Sequence, residues 1–103
     1  MSDQDGGMLP MTSATARPRL SPKVRLRFDR QTGRSLLLYP ERGLELNKTA
    51  TEIARLCTGE WTIEDIAHLL ARRYVDVSTG EIKQDVHTFL DTLARRGLLQ
   101  DQQ

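Results

Sequence analysis

The fold is decided by residues 39–59, which read Tyr-Pro-Glu-Arg-Gly-Leu-Glu-Leu-Asn-Lys-Thr-Ala-Thr-Glu-Ile-Ala-Arg-Leu-Cys-Thr-Gly. Pro40 fixes φ in the range that a tight turn requires. Leu44 and Leu46 alternate with a glutamate, and this spacing predicts a short strand with one apolar face. A helix is predicted to follow at once, so a groove forms between a sheet edge and that helix. Such a groove suits an extended peptide.

The first predicted helix runs from about Lys48 to Cys57. Asn47 or Thr49 is its N-cap, because a side-chain oxygen there can accept a hydrogen bond from the first turn. Gly59 is expected to end the helix in the left-handed conformation. The apolar residues recur at i, i+3, i+4 and i+7, which defines one helical face. They are Ala50, Ile53, Ala54 and Cys57.

Two further strands are predicted upstream. The segment 24–28 alternates apolar and basic residues, and its three apolar side chains, Phe28 among them, are expected to point inward. A turn over 29–33 leads to a second strand over 36–39, which is expected to be more completely buried. Together with 44–46, these segments predict a three-stranded antiparallel meander.

Two further helices are predicted downstream. Thr62 with Asp65, and Ser78 with Glu81, have the spacing of a capping box at a helix start. Gly97 is expected to end the last helix in the left-handed conformation. The apolar positions of the second helix are Ile63, Ile66, Ala67 and Leu70, and those of the third are Ile82, Val86, Phe89, Leu90 and Leu93.

Strands followed by three short helices indicate an α+β domain with a winged helix-turn-helix-like arrangement. Residues 1–19 are rich in Gly, Ser, Thr, Asp and Pro without periodicity, and they are interpreted as a flexible arm. The predicted domain covers 20–99, and 100–103 form a C-terminal tail. A chain of 103 residues suits one small domain.

The charges are balanced overall but unevenly distributed. There are 15 basic and 14 acidic residues, so the net charge of +1 gives no general attraction to nucleic acid or to a membrane. The segment from Arg17 to Arg34 holds seven basic residues and one acid. Either these charges are a solvated strand face that resists edge pairing, or Arg25, Arg27 and Arg30 form a docking patch for an acidic partner.

The sequence offers little to catalysis or to metal binding. Cys57 is the one cysteine, and its place on an apolar helix face indicates a small core residue in a reducing, cytoplasmic setting. His68 and His87 are far apart and lack nearby metal-ligand partners. There is no glycine-rich phosphate loop and no nucleophile motif. We therefore expect a protein that is not an enzyme, has no cofactor and does not span a membrane.

Three functions come into question for such a domain: DNA binding, assembly with a second copy and peptide binding. A winged-helix DNA-binding regulator needs a basic recognition helix, whereas residues 78–97 hold three basic and three acidic residues. A structural subunit would form a homodimer through the hairpin 24–39. Peptide binding by strand addition fits best, because pockets between Leu44, Leu46, Ile53 and the third helix could receive alternate side chains.

The same residues carry a family resemblance. Tyr39-Pro40-Glu41-Arg42, Leu46-Asn47, Thr49-Ala50, Ile53, Leu56-Cys57 and Gly59 resemble the signature of the PqqD family of pyrroloquinoline quinone biosynthesis, and Tyr74, Asp85-Val86, Phe89-Leu90 and Leu93 continue it. The resemblance covers about 20–99. One departure is Thr58, where the family often has Asp before the glycine.

The resemblance implies a peptide chaperone. Family members hold the ribosomally made precursor peptide PqqA and present it to the radical S-adenosylmethionine enzyme PqqE, which joins a Glu and a Tyr side chain of the precursor. In related recognition elements the peptide pairs with the third strand and lies against the third helix. The implied peptide-binding residues are Gly43, Leu44, Glu45, Leu46, Ile53, Asp85, Val86, Phe89, Leu90 and Leu93.

Overall fold

The computed structural model describes residues 15–40 and 42–101, which form two antiparallel sheets and three helices. The predicted α+β class, with a three-stranded sheet followed by three helices, is confirmed. In chain order the elements are β1 (Pro18–Leu20), β2 (Arg25–Asp29), β3 (Arg34–Tyr39), β4 (Arg42–Leu46), α1 (Lys48–Arg55), α2 (Ile63–Arg73), α3 (Thr79–Arg95) and β5 (Leu99–Asp101).

The three-stranded sheet has the order β2–β3–β4, so β3 is central and the other two strands are edges. Its register places Leu26, Leu37 and Leu44 in one row across the sheet. Because side chains alternate along a strand, this row faces the helices, and Leu37 is fully buried. The apolar face predicted from the alternation in β4 therefore lies where the core requires it.

Of two burial predictions for this sheet, one is wrong and one is confirmed. Phe28 was expected to point into the core, but 58% of its surface is exposed. It lies on the core-facing side, yet an open groove of about 780 Å³ separates it from α1, so no helix covers it. The second strand was expected to be more completely buried than the first, and this is confirmed: Leu37 is fully buried, and Leu36 and Leu38 on the outward face of the sheet are half-buried.

The second sheet, β1 with β5, was not predicted. Pro18 pairs with Asp101 and Leu20 with Leu99, which joins the two ends of the described chain. The Ala16 carbonyl accepts a 2.9 Å hydrogen bond from the Ile63 N–H. The ordered structure thus includes the part of the expected arm from Thr15 to Arg19 and the part of the expected tail up to Asp101. Positions 1–14 and 102–103 lie outside the described residues.

The helix starts follow the predicted capping chemistry. Asn47, not Thr49, caps α1, and its Oδ1 accepts a 2.7 Å hydrogen bond from the Ala50 N–H. Thr62 and Asp65 form the reciprocal capping box of α2, with bonds of 3.0 and 3.1 Å. Ser78 caps α3 by accepting a 3.1 Å bond from the Glu81 N–H.

The helix ends were predicted in part. The helix α1 ends at Arg55, two residues before its predicted end, and Gly59 has a φ of 87° in the loop beyond it. At the end of α3, Gly97 has a φ of 74°, and the Leu98 N–H donates a 2.9 Å bond to the Leu93 carbonyl. That bond folds Leu98 back onto the core, where it is buried.

The core lies between the inward face of the larger sheet and the three helices. All four predicted apolar positions of α2 are buried. In the described part of the chain, no helix combines the length and apolar character that a membrane crossing requires.

Candidate functional site

A candidate binding surface lies between the free edge of β4 and α3, and it is here called the β4–α3 groove. The strand β4 pairs with β3 on one side, and within 15–40 and 42–101 no other strand pairs with its second side. Alternate residues of an edge strand direct N–H and C=O groups away from the sheet. The strand wall of the groove therefore offers a row of backbone hydrogen-bonding groups.

The helical wall of the groove is a stripe along α3. Its members recur at i, i+3, i+4 and i+7, and the C-cap residue at i+11 continues the same side of the helix. The stripe consists of Asp85, Thr88, Phe89, Thr92 and Arg96. Since Arg96 lies beside the start of β4 and Asp85 lies beside the residue that follows its end, the strand and the helix run in opposite directions.

At the Asp85 end the groove widens into a cavity of about 310 Å³, here called the Asp85 cavity. Ile53 and the half-buried Phe89 supply apolar lining, and Asp85 supplies the one charged group among the described lining residues. The full lining is Asn47, Thr49, Ala50, Ile53, Asp85, Thr88, Phe89 and Thr92. This cavity can receive an apolar stem that ends in a hydrogen-bond donor.

At the other end lies a cavity of about 300 Å³, here called the arginine cavity. Its described lining residues are Tyr39, Arg42 and Arg96. The Arg96 guanidinium donates a 3.3 Å hydrogen bond to the Tyr39 hydroxyl, which leaves most of its N–H groups available. Two guanidinium groups without a carboxylate among the described lining residues can bind an anion.

The structure separates the predicted α3 residues into two sets. Asp85 and Phe89 line the groove, whereas Val86, Leu90 and Leu93 are fully buried beneath it. One step along a helix turns the side chain by about 100°, so neighbours in sequence face different surroundings. The three buried residues support the helix and have no surface left for a ligand, which corrects their predicted direct contact.

The predicted peptide-binding residues of β4 and α1 also differ in how far they are buried. Gly43 and Glu45 are exposed, and Leu44 is half-buried on the core-facing side. Leu46 is buried and belongs to the core, whereas Ile53, although only 1% exposed, lines the Asp85 cavity. A Cβ atom on Gly43 would be 3.4 Å from the Leu38 Cδ2, so the position does not require glycine.

Sequence reasoning missed several lining residues, including Thr88, Thr92 and Arg96. The helical spacing from Asp85 could have found all three, because they fall on its side of α3. Arg42 and Tyr39 could not be found in this way, since their position beside Arg96 depends on how the hairpin packs against the helix end.

A second surface lies at the opposite edge of the sheet. Arg25, Arg27 and Arg30 are exposed there, and Phe28 lies among them. The groove between Phe28 and α1 includes Lys48 and Arg55, which have no ion-pair partner among the described residues. The same groove extends to the end of β4, and its two acidic residues are paired, Glu45 with Arg34 and Glu52 with Arg73. This edge is therefore basic, with one exposed aromatic ring.

The described residues offer little to catalysis or to metal binding. In the described ranges no three His, Cys, Asp or Glu side chains cluster as metal ligands would. Cys57 is buried, its Sγ donates a 3.3 Å hydrogen bond to the Ile53 carbonyl, and burial raises the pKa of its thiol to about 12. A thiol with so high a pKa remains protonated at neutral pH and is a poor nucleophile.

Known proteins resemble this chain in sequence. The family model described as Coenzyme PQQ synthesis protein D (PqqD) matches residues 34–99. A protein of Rhodopseudomonas palustris strain TIE-1, named PqqA binding protein, is 40% identical over 87 residues, and the match covers 84% of each chain.

Solved structures share the fold. The solution NMR structure of the PqqD truncation of Methylobacterium extorquens PqqCD, described as a functional, stand-alone RiPP recognition element, has a TM-score of 0.71 at 33% identity and covers 89% of this chain and 99% of that one. The lasso peptide synthetase B1 complexed with its leader peptide has a TM-score of 0.70 and covers 82% of this chain and 99% of that one. Its identity is 23%, so this second likeness concerns the fold alone.

Proposed function

The chain belongs to the PqqD family of coenzyme PQQ synthesis proteins, and we propose that it is a non-catalytic chaperone that binds the precursor peptide PqqA in the β4–α3 groove. One extended segment of the peptide adds to the free edge of β4 as a further strand. The observation that carries this proposal is the free edge of β4 facing the Asp85–Arg96 stripe of α3.

In strand addition, the β4 wall and the α3 wall of the groove contribute differently to binding. Backbone hydrogen bonds to β4 give affinity for any extended segment, whereas pockets beside the added strand read its alternate side chains. Phe89 and Ile53 line the Asp85 cavity and present the apolar surface that such side chains would cover. The name of the Rhodopseudomonas palustris relative supports PqqA as the ligand.

We further propose that the chain presents the bound peptide to the radical S-adenosylmethionine enzyme PqqE. The edges β2 and β4 are separated by the central strand, so they lie about 10 Å apart. A peptide on β4 would therefore leave the basic surface of Arg25, Arg27, Arg30 and Phe28 free for the enzyme. Support for this arrangement comes from the charge of that edge.

In this proposal the bond-forming chemistry belongs to PqqE, and this chain binds and orients. The protonated, buried thiol of Cys57 is consistent with a role in the core and not at a reaction centre. We propose the cytoplasm as the place of action, because ribosomally made precursors are released there.

The test is an NMR titration of the isotope-labelled protein with synthetic PqqA. We expect amide shifts in β4 and in the stripe from Asp85 to Arg96, and no such shifts with a scrambled peptide. Absence of shifts at millimolar PqqA would reject peptide capture by this chain. A titration with duplex DNA tests the regulator alternative, which requires binding that weakens steeply with salt.

A further inference from the structure

The two ends of the β4–α3 groove carry opposite charges, and we infer that the groove selects a peptide segment that reads basic, apolar, acidic on alternate residues from its N-terminus to its C-terminus. This inference rests on the proposed function and specifies which peptides it accepts. The two cavities at the ends of the groove select the two charged side chains of the peptide. The apolar surface between them selects the side chain at the middle position.

The arginine cavity receives the acidic side chain. Arg42 and Arg96 line it, and no carboxylate among the described residues does. A guanidinium is a rigid fork of N–H donors that matches a carboxylate in a paired, two-bond geometry. Because Arg96 uses one donor for the Tyr39 hydroxyl at 3.3 Å, its plane is oriented before a ligand arrives.

The Asp85 cavity receives the basic side chain. Asp85 is exposed and has no ion-pair partner among the described residues, and no cation in the described chain lines this cavity. Phe89 and Ile53 provide apolar surface below it. A lysine or arginine can cover that surface with its aliphatic stem while its charged head stays beside the carboxylate.

The spacing of the two cavities fixes the separation of the two charges in the peptide. From Asp85 to Arg96 the helix advances 11 residues, or about 16 Å. Both cavities lie on the α3 side of the added strand, so the two side chains must be an even number of residues apart. Four residues span about 13 Å, and a long arginine side chain covers the difference.

The direction of the peptide follows from the pairing. Antiparallel addition is the slightly more stable arrangement. Since β4 runs from Arg42 toward Asn47, an antiparallel peptide enters beside Asp85 and leaves beside Arg96. The basic residue therefore comes first and the acidic residue four positions later, with an apolar side chain between them over Phe89.

The test uses two synthetic peptides of identical composition. One is acetyl-Thr-Lys-Thr-Val-Thr-Glu-Thr-amide, and the other exchanges its Lys and Glu. Amide shifts in an NMR titration give both dissociation constants, and we expect the first peptide to bind about tenfold more tightly, because two attractive ion pairs become two repulsive ones in the second.

The same assignment can be tested from the side of the protein, with a variant in which the charges of the two cavities are exchanged. In Asp85→Lys/Arg42→Glu/Arg96→Glu all three altered side chains are exposed, so we expect the variant to fold and the preference to pass to the second peptide. The matched control is Lys83→Glu, which reverses an exposed charge on the far side of α3 and should leave the preference unchanged.

Titration of PqqA on the same wild-type sample separates the two proposals. Equal affinities for the two short peptides, or shifts from neither, overturn the charge assignment, and PqqA shifts in the groove then leave the proposed function standing. If PqqA itself produces no shifts, the proposed function fails, and the two short peptides alone then decide the charge assignment. A preference that survives unchanged in the folded variant with exchanged charges at Asp85, Arg42 and Arg96 also overturns the assignment.

Discussion

Phe89 and Leu90 are neighbours in sequence but have different roles in α3. Phe89 is half-buried in the wall of the β4–α3 groove, whereas Leu90 is fully buried in the core. An aromatic side chain at the centre of a groove contributes more to binding than polar contacts at its rim. Binding and stability can therefore be tested separately at adjacent positions.

We expect Phe89→Ala to lower PqqA affinity about tenfold, because the peptide loses its central apolar contact. Leu90→Ala should instead lower the free energy of unfolding by about 2–5 kcal/mol, because it leaves a cavity in the core. Isothermal titration calorimetry and urea unfolding measure the two quantities. A Leu90→Ala protein that stays folded but binds PqqA as weakly as Phe89→Ala would contradict this division.

A second prediction at the scale of a residue concerns Cys57 and the pH dependence of the unfolding free energy. Burial raises the pKa of its thiol from 9.0 to about 12. The unfolded chain releases this proton above about pH 9 while the folded chain keeps it, so stability is lost as the pH rises through this window. Between pH 8 and pH 10 we expect the unfolding free energy of the wild type to fall by about 1.4 kcal/mol in total more than that of Cys57→Ala. Urea unfolding at pH 8, 9 and 10 measures both slopes, and parallel curves would contradict the prediction.

The strand β4 is the element on which peptide capture depends. Gly43 is exposed, and a Cβ atom there makes an ordinary 3.4 Å contact with Leu38. Proline is tolerated on edge strands but removes an N–H and adds a ring beside the edge. Gly43 therefore offers a matched pair of substitutions, one that alters the edge backbone and one that does not.

We expect Gly43→Pro to lower PqqA affinity at least tenfold, because it disturbs the row of backbone groups that the added strand needs. Gly43→Ala should bind almost as well as the wild type. Calorimetry gives the affinities, and circular dichroism shows that each variant is folded. Undiminished PqqA binding by a folded Gly43→Pro protein would count against strand addition at this edge.

The sequence predicted which segments form helices and strands better than it predicted how those segments pack against each other. Local signals identified the starts of α1, α2 and α3, because capping depends on residues three positions apart. Phe28 was misplaced, since its burial depends on where α1 ends relative to the hairpin. The strands β1 and β5 were missed for the same kind of reason: each is three residues long and exists only because the other pairs with it.

At the level of the whole molecule, the two sheet edges divide the surface between two proposed partners. The β4 edge faces α3, and the β2 edge carries Arg25, Arg27 and Phe28. The sequence also suggested a homodimer through the hairpin of β2 and β3, which stays a prediction. Because a dimer of that kind would use the β2 edge, it would compete with PqqE and not with PqqA.

We expect Arg25→Glu/Arg27→Glu to weaken PqqE binding at least tenfold, because repulsion replaces attraction at a basic surface. Its PqqA affinity should remain within about twofold of the wild type, since the changes lie two strands away from the groove. Biolayer interferometry with immobilised PqqE, and calorimetry with PqqA, measure the two affinities. Light scattering across a concentration series shows whether the substitutions also change the mass of the protein. Loss of PqqA binding together with PqqE binding would mean that the two edges do not act separately, and unchanged PqqE binding would move the enzyme's contact away from β2.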